Sequence, residues 1–399
     1  MARQLRISER ARRIEPFYVL EMAKAAAEIG QSALASDRPM VYLNIGEPDF
    51  TAPPLVQQAA EKAIRDGRTQ YTPAVGLAPL RERISQWYRT RYGLTVPTSR
   101  IVVTAGASAA LQLACLALID AGDEILMPDP SYPCNRQFVQ AADGRAILVP
   151  TTAEQRFQLS AASVAEHWKP GVTRGVLLAS PSNPTGTSIH PDELRRIHAL
   201  VAERGGVTLV DEIYLGLGYD PVFGHSALAL DETVISINSF SKYFSMTGWR
   251  LGWLVVPEQL VPVIERLAQN LFICPSTVAQ HAAMACFEAD SIAEYERRRH
   301  AFRARRDYLV PALSAVGLSV PVMPDGAFYV WADCAQACER LGVADSWELA
   351  FTLMRQAHVA VTPGRDFGSA QTGRFIRLSS ASAMAQLELA VTRIGALLA

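Results

Sequence analysis

Between residues 101 and 256 the chain repeatedly switches its hydrophobic period. Short apolar runs rich in β-branched residues recur: IVVTA (101–105), EILMP (124–128), RAILVP (145–150), GVLLAS (175–180), VTLV within VTLVDEIY (207–214), TVISIN (233–238) and RLGWLVV (250–256). Between them lie stretches with helical apolar spacing, such as SAALQLACLALIDAG (108–122) and PDELRRIHALVAERGG (191–206). The latter opens on Pro191, Asp192 and Glu193 and reaches Gly205 near its end, as helix boundaries prefer. Strands apolar along their whole length can be buried on both faces, and helices between them supply the cover. The pattern predicts an α/β fold with a mostly parallel seven-stranded sheet between helices.

From about residue 258 the pattern changes. EYERRRHAFRARRDYLVPAL (294–313) is a long charged helix, able to bridge two domains. Shorter strands follow in GAFYVWADC (326–334), HVAVTPG (358–364) and RFIRLSS (374–380), with a helix after the first and another closing the chain. The first 45 residues show no sheet pattern of their own. The expected organisation is a large domain over 46–293 and a smaller α+β domain built from both chain ends, 1–45 and 294–399.

With 49% hydrophobic and 19% charged residues in 399, the chain has ample core material and is not a disordered sequence. Its net charge of −1, without a lysine or arginine block, argues against a nucleic-acid partner, because duplex binding rests on neutralising phosphates. No apolar run approaches the roughly 20 residues that cross a bilayer. The opening MARQLRISERARRIEPF is basic but has no apolar segment behind it, so a secretory signal is not expected. A soluble cytoplasmic protein follows. The six cysteines form no C-x-x-C and the seven histidines no H-E-x-x-H. The expectation is buried reduced thiols and no metal site.

In an open parallel sheet, ligands bind beyond the carboxyl ends of the strands. Read only there, the sequence offers Gly106-Ala107-Ser108, then Pro181-Ser182-Asn183-Pro184-Thr185-Gly186, then Asp211, Glu212 and Tyr214, then Ser239, Ser241 and Lys242. Small residues opening a helix can present free N–H groups to an anion, although they also begin helices for ordinary capping reasons. The loop is neither a Walker loop nor a G-x-G-x-x-G fingerprint, which points to a phosphate other than that of a nucleoside triphosphate. Ser239 and Arg250 are natural further donors, with a structural ion pair the alternative use of Arg250. Asp211, at the end of an apolar strand, is costly to bury unpaired and calls for a cation, such as a protonated ring nitrogen.

Ser239 and Lys242 form an S-x-x-K pair, as in serine acyl-transfer enzymes. Those enzymes also need S-D-N and K-T-G elements, which this chain lacks, and no G-x-S-x-G occurs. An amine at the end of a buried strand beside Arg250 is instead placed to be a nucleophile that forms a Schiff base. That role falls to Lys242.

Taken together, S-F-S-K-Y-F-S-M-T-G-W-R-L-G-W (239–253), N-I-G-E-P-D-F (44–50), Y-T-P-A-V-G (71–76), P-S-Y-P (130–133), S-N-P-T-G (182–186), D-E-I-Y (211–214) and R-L-S-S (377–380) resemble the fold-type I pyridoxal-phosphate enzymes, specifically the class I/II aminotransferases. The resemblance covers nearly the whole chain. It implies pyridoxal 5'-phosphate as cofactor, with Lys242 as the lysine that binds it and carries the proton. Asp211 matches the acid on the ring nitrogen, and Asn183 and Tyr214 match the donors to the ring 3-oxygen. Tyr132 matches the aromatic on the ring face, and Ala107, Ser108, Ser239 and Arg250 match the phosphate cup. Arg377 matches the arginine that grips the substrate α-carboxylate, and Gly46 the loop closing over it. Tyr71 resembles a phosphate ligand donated by the other subunit of a homodimer.

Aspartate-preferring relatives carry a lysine just after the small-residue loop, where this chain reads Ala-Ser-Ala-Ala (107–110). That tilts the donor towards neutral or aromatic amino acids, with pyruvate or 2-oxoglutarate as acceptor. The same scaffold also carries β-lyases and cyclising synthases. A non-catalytic regulator with this body would need an N-terminal DNA-binding domain, and the stretch before Gly46 is too short for one.

Overall fold

The structure, a computed structural model, describes residues 5–16, 18–34 and 38–399. Its strands in chain order are Val41–Tyr42 (β1), Ile101–Thr104 (β2), Glu124–Asp129 (β3), Arg145–Pro150 (β4), Thr173–Ala179 (β5), Val207–Asp211 (β6), Ile235–Ser239 (β7), Gly252–Val255 (β8), Tyr329–Asp333 (β9), Val359–Ala360 (β10), Thr362–Pro363 (β11) and Phe375–Ser379 (β12). Seven of them form one sheet in the order β2-β8-β7-β6-β5-β3-β4. All its pairings are parallel except those of β8, which runs antiparallel to both β2 and β7.

The uninterrupted apolar character of these runs has the cause inferred from the sequence. Along β3, Ile125 and Met127 enter one core with Leu111 and Leu254, while Leu126 enters another with Ile197 and Val201. Alternate side chains thus feed the helical layers on opposite faces of one sheet. RAILVP differs. As β4 it is the sheet edge, and only Val149 is fully buried.

A second core joins the two chain ends, with Met22, Ala26 and Leu43 packing among Leu309, Leu313, Val330, Leu378 and Ile394. Around it lie an antiparallel sheet, β11-β12-β9, and a parallel pair, β1-β10. Two sequence expectations need correction here. The first 45 residues do supply a strand, β1, whose two residues are too few to show a period. HVAVTPG is not one strand but two: β10 pairs with β1, and β11 pairs with β12.

The charged segment forms the 27-residue helix Ala289–Ala315. Its Phe302 packs in the large-sheet region and its Leu309 and Leu313 in the second core, so it bridges the two. All six cysteines are free, but Cys134 and Cys274 are only partly buried, against the expectation that every thiol lies inside. Among the described residues no helix is long and apolar enough to cross a membrane.

Candidate active site

The carboxyl ends of β5, β6 and β7 open onto a cavity of about 470 Å³. Lys242, Asp211, Tyr214, Asn183, Tyr132, Ala107, Ser108, Ser239, Arg250, Gly46 and Arg377 all line it. Tyr71 does not: it is 84% exposed and lies away from the cavity of its own chain.

Lys242 follows β7 and is part-buried, with Nζ donating to the Gly46 carbonyl at 2.6 Å. It lies 5.7 Å from the centre of the Tyr214 ring and 5.9 Å from that of Phe328. Burial, aided by the charges of Arg377 and Arg250 and opposed by Glu47 and Asp211, brings its ammonium down to about 8. Asp211 closes β6 and accepts from the Ile213 N–H at 3.2 Å. Burial pushes its carboxyl up to about 7, the Ile213 hydrogen bond and Lys242 pulling the other way and Glu212 adding to the rise. Lys242 is too weak an influence to offset that burial, so a further cation beside the carboxylate would be needed to hold it charged.

The anion-binding end is built on the helix Gly106–Leu118, where no side chain caps the first turn. Without a side-chain cap, its leading N–H groups can face an anion. Gly106 has φ +80°, and a Cβ there would stand 2.7 Å from Arg250 Nη2, so the guanidinium is held against the helix start. Arg250 adopts φ +53° and donates to the Thr247 carbonyl at 2.9 Å. No acid among the described residues pairs with it, so it is not a structural ion pair. The Ser239 hydroxyl accepts from the Ser241 N–H at 3.0 Å on the same rim.

At the other end Arg377, on β12, is only 2% exposed. It donates to Asn183 Oδ1 at 3.0 Å and to the Asn44 carbonyl at 2.7 Å, and its guanidinium lies 4.6 Å from the centre of the Tyr329 ring. Its Nε has no partner among the described residues, and no carboxylate there lies in ion-pairing reach. Asp366 interacts with Arg377 electrostatically without pairing, so the guanidinium retains donor capacity of the kind that a carboxylate accepts bidentately.

Several cavity residues escaped sequence reasoning. Tyr329 shares a hydrogen bond with Tyr214, oxygen to oxygen at 2.7 Å, and lies against Arg377, but in the sequence it is one aromatic in an apolar strand. Asn44, fully buried beside Arg377, opens the N-I-G-E-P-D-F motif, which suggests no role for it, and the helical residues Val19, Leu20 and Ala23 carry no signal of their own. An isolated carboxylate, a poised amine, an anion site and an aromatic wall together suit a ring cofactor that carries a phosphate and a ring nitrogen.

Residues 38–394 match the family described as aminotransferase class I and II. The chain is 38% identical to the valine–pyruvate aminotransferase of Mycobacterium tuberculosis, over 96% of each chain. It is 32% identical to an aspartate aminotransferase of a Bacillus species, over 97% of this chain and 98% of that one. In structure it resembles an aminotransferase from Mycobacterium tuberculosis, with a TM-score of 0.92 and 36% identity over 99% of both chains. The aspartate aminotransferase of Thermus thermophilus, solved with maleate, gives a TM-score of 0.90 at 30% identity, over 99% of this chain and 100% of that one. The chain therefore belongs to the class I and II aminotransferases, and it is a pyridoxal-phosphate-dependent transaminase.

Proposed function

We propose that the enzyme moves the amino group of a neutral, apolar amino acid to a small monocarboxylic 2-oxo acid such as pyruvate, working as a cytoplasmic homodimer. The observation that carries this reading is the count of cations. Among the described residues, the cavity is lined by three: Lys242, Arg250 and Arg377. Cofactor attachment, the phosphate and the substrate α-carboxylate occupy one each, so this chain's own lining offers no further cation for a second substrate carboxylate. The 38% identical relative acting on valine and pyruvate points the same way. Six free cysteines suit a reducing compartment. The two cores support the division into a large domain over 46–293 and a small one from 1–45 and 294–399.

In this reading Ala107, Ser108, Ser239 and Arg250 hold the phosphate, Tyr132 covers the ring face, and Asn183 and Tyr214 face the ring 3-oxygen. Pyridoxal phosphate, when bound, supplies an electron-withdrawing ring that makes the amino acid's Cα–H acidic. Lys242 is the base that takes this proton and returns it, a task suited to an amine whose ammonium is weakened to about 8. Asp211 keeps the ring nitrogen positively charged, and in doing so gains the cation its burial demands. Arg377 fixes the α-carboxylate, and Gly46, whose carbonyl holds Lys242 Nζ, places the loop above it. A screen of the twenty amino acids against pyruvate and 2-oxoglutarate tests the reading. Neutral apolar donors with pyruvate are expected to give the highest kcat/KM, and a preference for aspartate or glutamate would overturn it.

A further inference from the structure

Part of the cavity wall does not come from the sheet. Val19, Leu20 and Ala23, in the helix Tyr18–Leu34, line the same cavity as Lys242 and Arg377. Leu20 is 56% exposed, an apolar side chain held beside the cavity with little protein covering it. What fixes this helix is a residue remote in sequence. The Val19 N–H donates to Asp366 Oδ2 at 2.9 Å. Asp366 is 0% exposed and lies in the turn Gly364–Phe367, directly after β11. The turn itself is pinned from the opposite side: the Asp366 carbonyl accepts from both Arg136 Nη1 and Nη2 at 3.2 Å, and the Phe367 carbonyl accepts from the Ser131 N–H at 2.8 Å.

The backbone around Asp366 is therefore held without help from its carboxylate. Oδ1 has no partner among the described residues, and the carboxylate's hydrogen bonds come from the backbone N–H groups of Val19 and Tyr18, both in the helix that carries the apolar wall. A fully buried carboxylate is unfavourable unless its bonds matter. Both bonds lie on the first turn, the Val19 bond adjacent to Leu20 and one helical turn from Ala23.

We propose that Asp366 is a positioning residue for the donor amino acid. By holding the first turn of Tyr18–Leu34 it sets where Val19, Leu20 and Ala23 meet the donor side chain. It touches neither substrate nor cofactor; its hydrogen bonds act through the helix, and its charge also faces Arg136 and Arg377, an effect common to every donor. This rests on the reading that the donor is neutral and apolar, because only then does the wall contribute binding.

The test compares Asp366→Ala, Asp366→Asn, Leu20→Ala and the double variant Leu20→Ala/Asp366→Ala, each as holoenzyme. The readouts are kcat and KM for valine and for alanine with saturating pyruvate, together with pyridoxal phosphate affinity. Losing a hydrogen bond to a charged acceptor is expected to raise the valine KM about ten-fold in Asp366→Ala, with alanine changed less than about three-fold and cofactor affinity less than about two-fold. Asp366→Asn keeps an oxygen acceptor for the Val19 N–H and is expected to return the valine KM to within about three-fold of wild type. Because both changes act through one wall, the double variant should be no worse than the worse single variant. Equal losses for both donors with weakened cofactor binding would mean general structural damage and would overturn the proposal, as would an unchanged valine KM in Asp366→Ala. The wild-type donor ranking decides the underlying reading separately, since it involves no variant.

Discussion

Lys242 and Asp211 are driven in opposite directions by one cause. Burial disfavours the charged form of each, so the ammonium falls to about 8 while the carboxyl rises to about 7. The sequence displays both, because an ionisable residue straight after an apolar strand stands out. Arg377 does not stand out. It sits within F-I-R-L-S, where period-two reading makes it a plain solvent-facing strand residue, and only the fold turns that face onto Tyr329 and Asn183. Asp211 also yields a stability prediction. Its folded-state pKa lies above the ordinary 3.8, so the folded protein binds its proton more tightly than the unfolded chain does, and stability falls as pH rises towards 7. Asp211→Asn removes that cost. The cofactor-free variant should be more stable than wild type in urea at pH 8, by no more than about 4 kcal/mol, and indistinguishable near pH 4. It should also transaminate poorly. Equal stability of the two proteins at both pH values would show that Asp211 is not a burdened carboxylate.

At the scale of elements, the informative piece is the loop 46–51, which holds the Gly46 carbonyl against Lys242. It is clamped to the helix Ala289–Ala315. Asp49 pairs bidentately with Arg305 at 2.8 Å through both oxygens, Arg298 donates to the Thr51 carbonyl at 2.6 Å, and Phe50 meets Phe302 edge to face with ring centres 5.5 Å apart. Of the charges in ERRRHAFRARR, Arg298 and Arg305 turn inward onto the loop, while Arg299 and Arg306 donate to the Gly218 and Pro324 carbonyls. A charge count reads the whole segment as a solvated face, so this clamp was invisible in the sequence. The same limit hid β1 and β10, whose two-residue pairing is set by tertiary packing and not by any local period. Arg305→Leu should lower stability by about 1–3 kcal/mol, less than for a fully buried pair because the Asp49 side chain is 30% exposed. It should also raise the KM of every donor alike, since the loop and not the apolar wall is loosened. Urea midpoints and donor kinetics check this, and a variant as stable as wild type would mean that the clamp contributes nothing.

For the whole molecule the question is what completes the site. Tyr71 is 84% exposed, and Ile64, close to it along the chain, and Leu271 and Ile273, remote in sequence, are exposed apolar residues as well. Thr277 donates to the Gln70 carbonyl at 2.7 Å, so the stretches before Tyr71 and after Leu271 meet on one surface. Such a surface suits a two-fold partner whose Tyr71 reaches this phosphate cup. Light scattering should give twice the 43.5 kDa chain mass, and Tyr71→Phe should weaken pyridoxal phosphate binding about ten-fold. A fully active monomer, or an unchanged cofactor affinity, would contradict a shared site. The most direct test of the account follows the nitrogen itself. Wild-type enzyme and Lys242→Ala are each given ¹⁵N-valine and pyruvate, and the products are read by mass spectrometry. The account predicts ¹⁵N-alanine from the wild type, no free labelled ammonia, and no transfer by Lys242→Ala. Labelled ammonia in place of alanine, or transfer that survives the loss of Lys242, would contradict it.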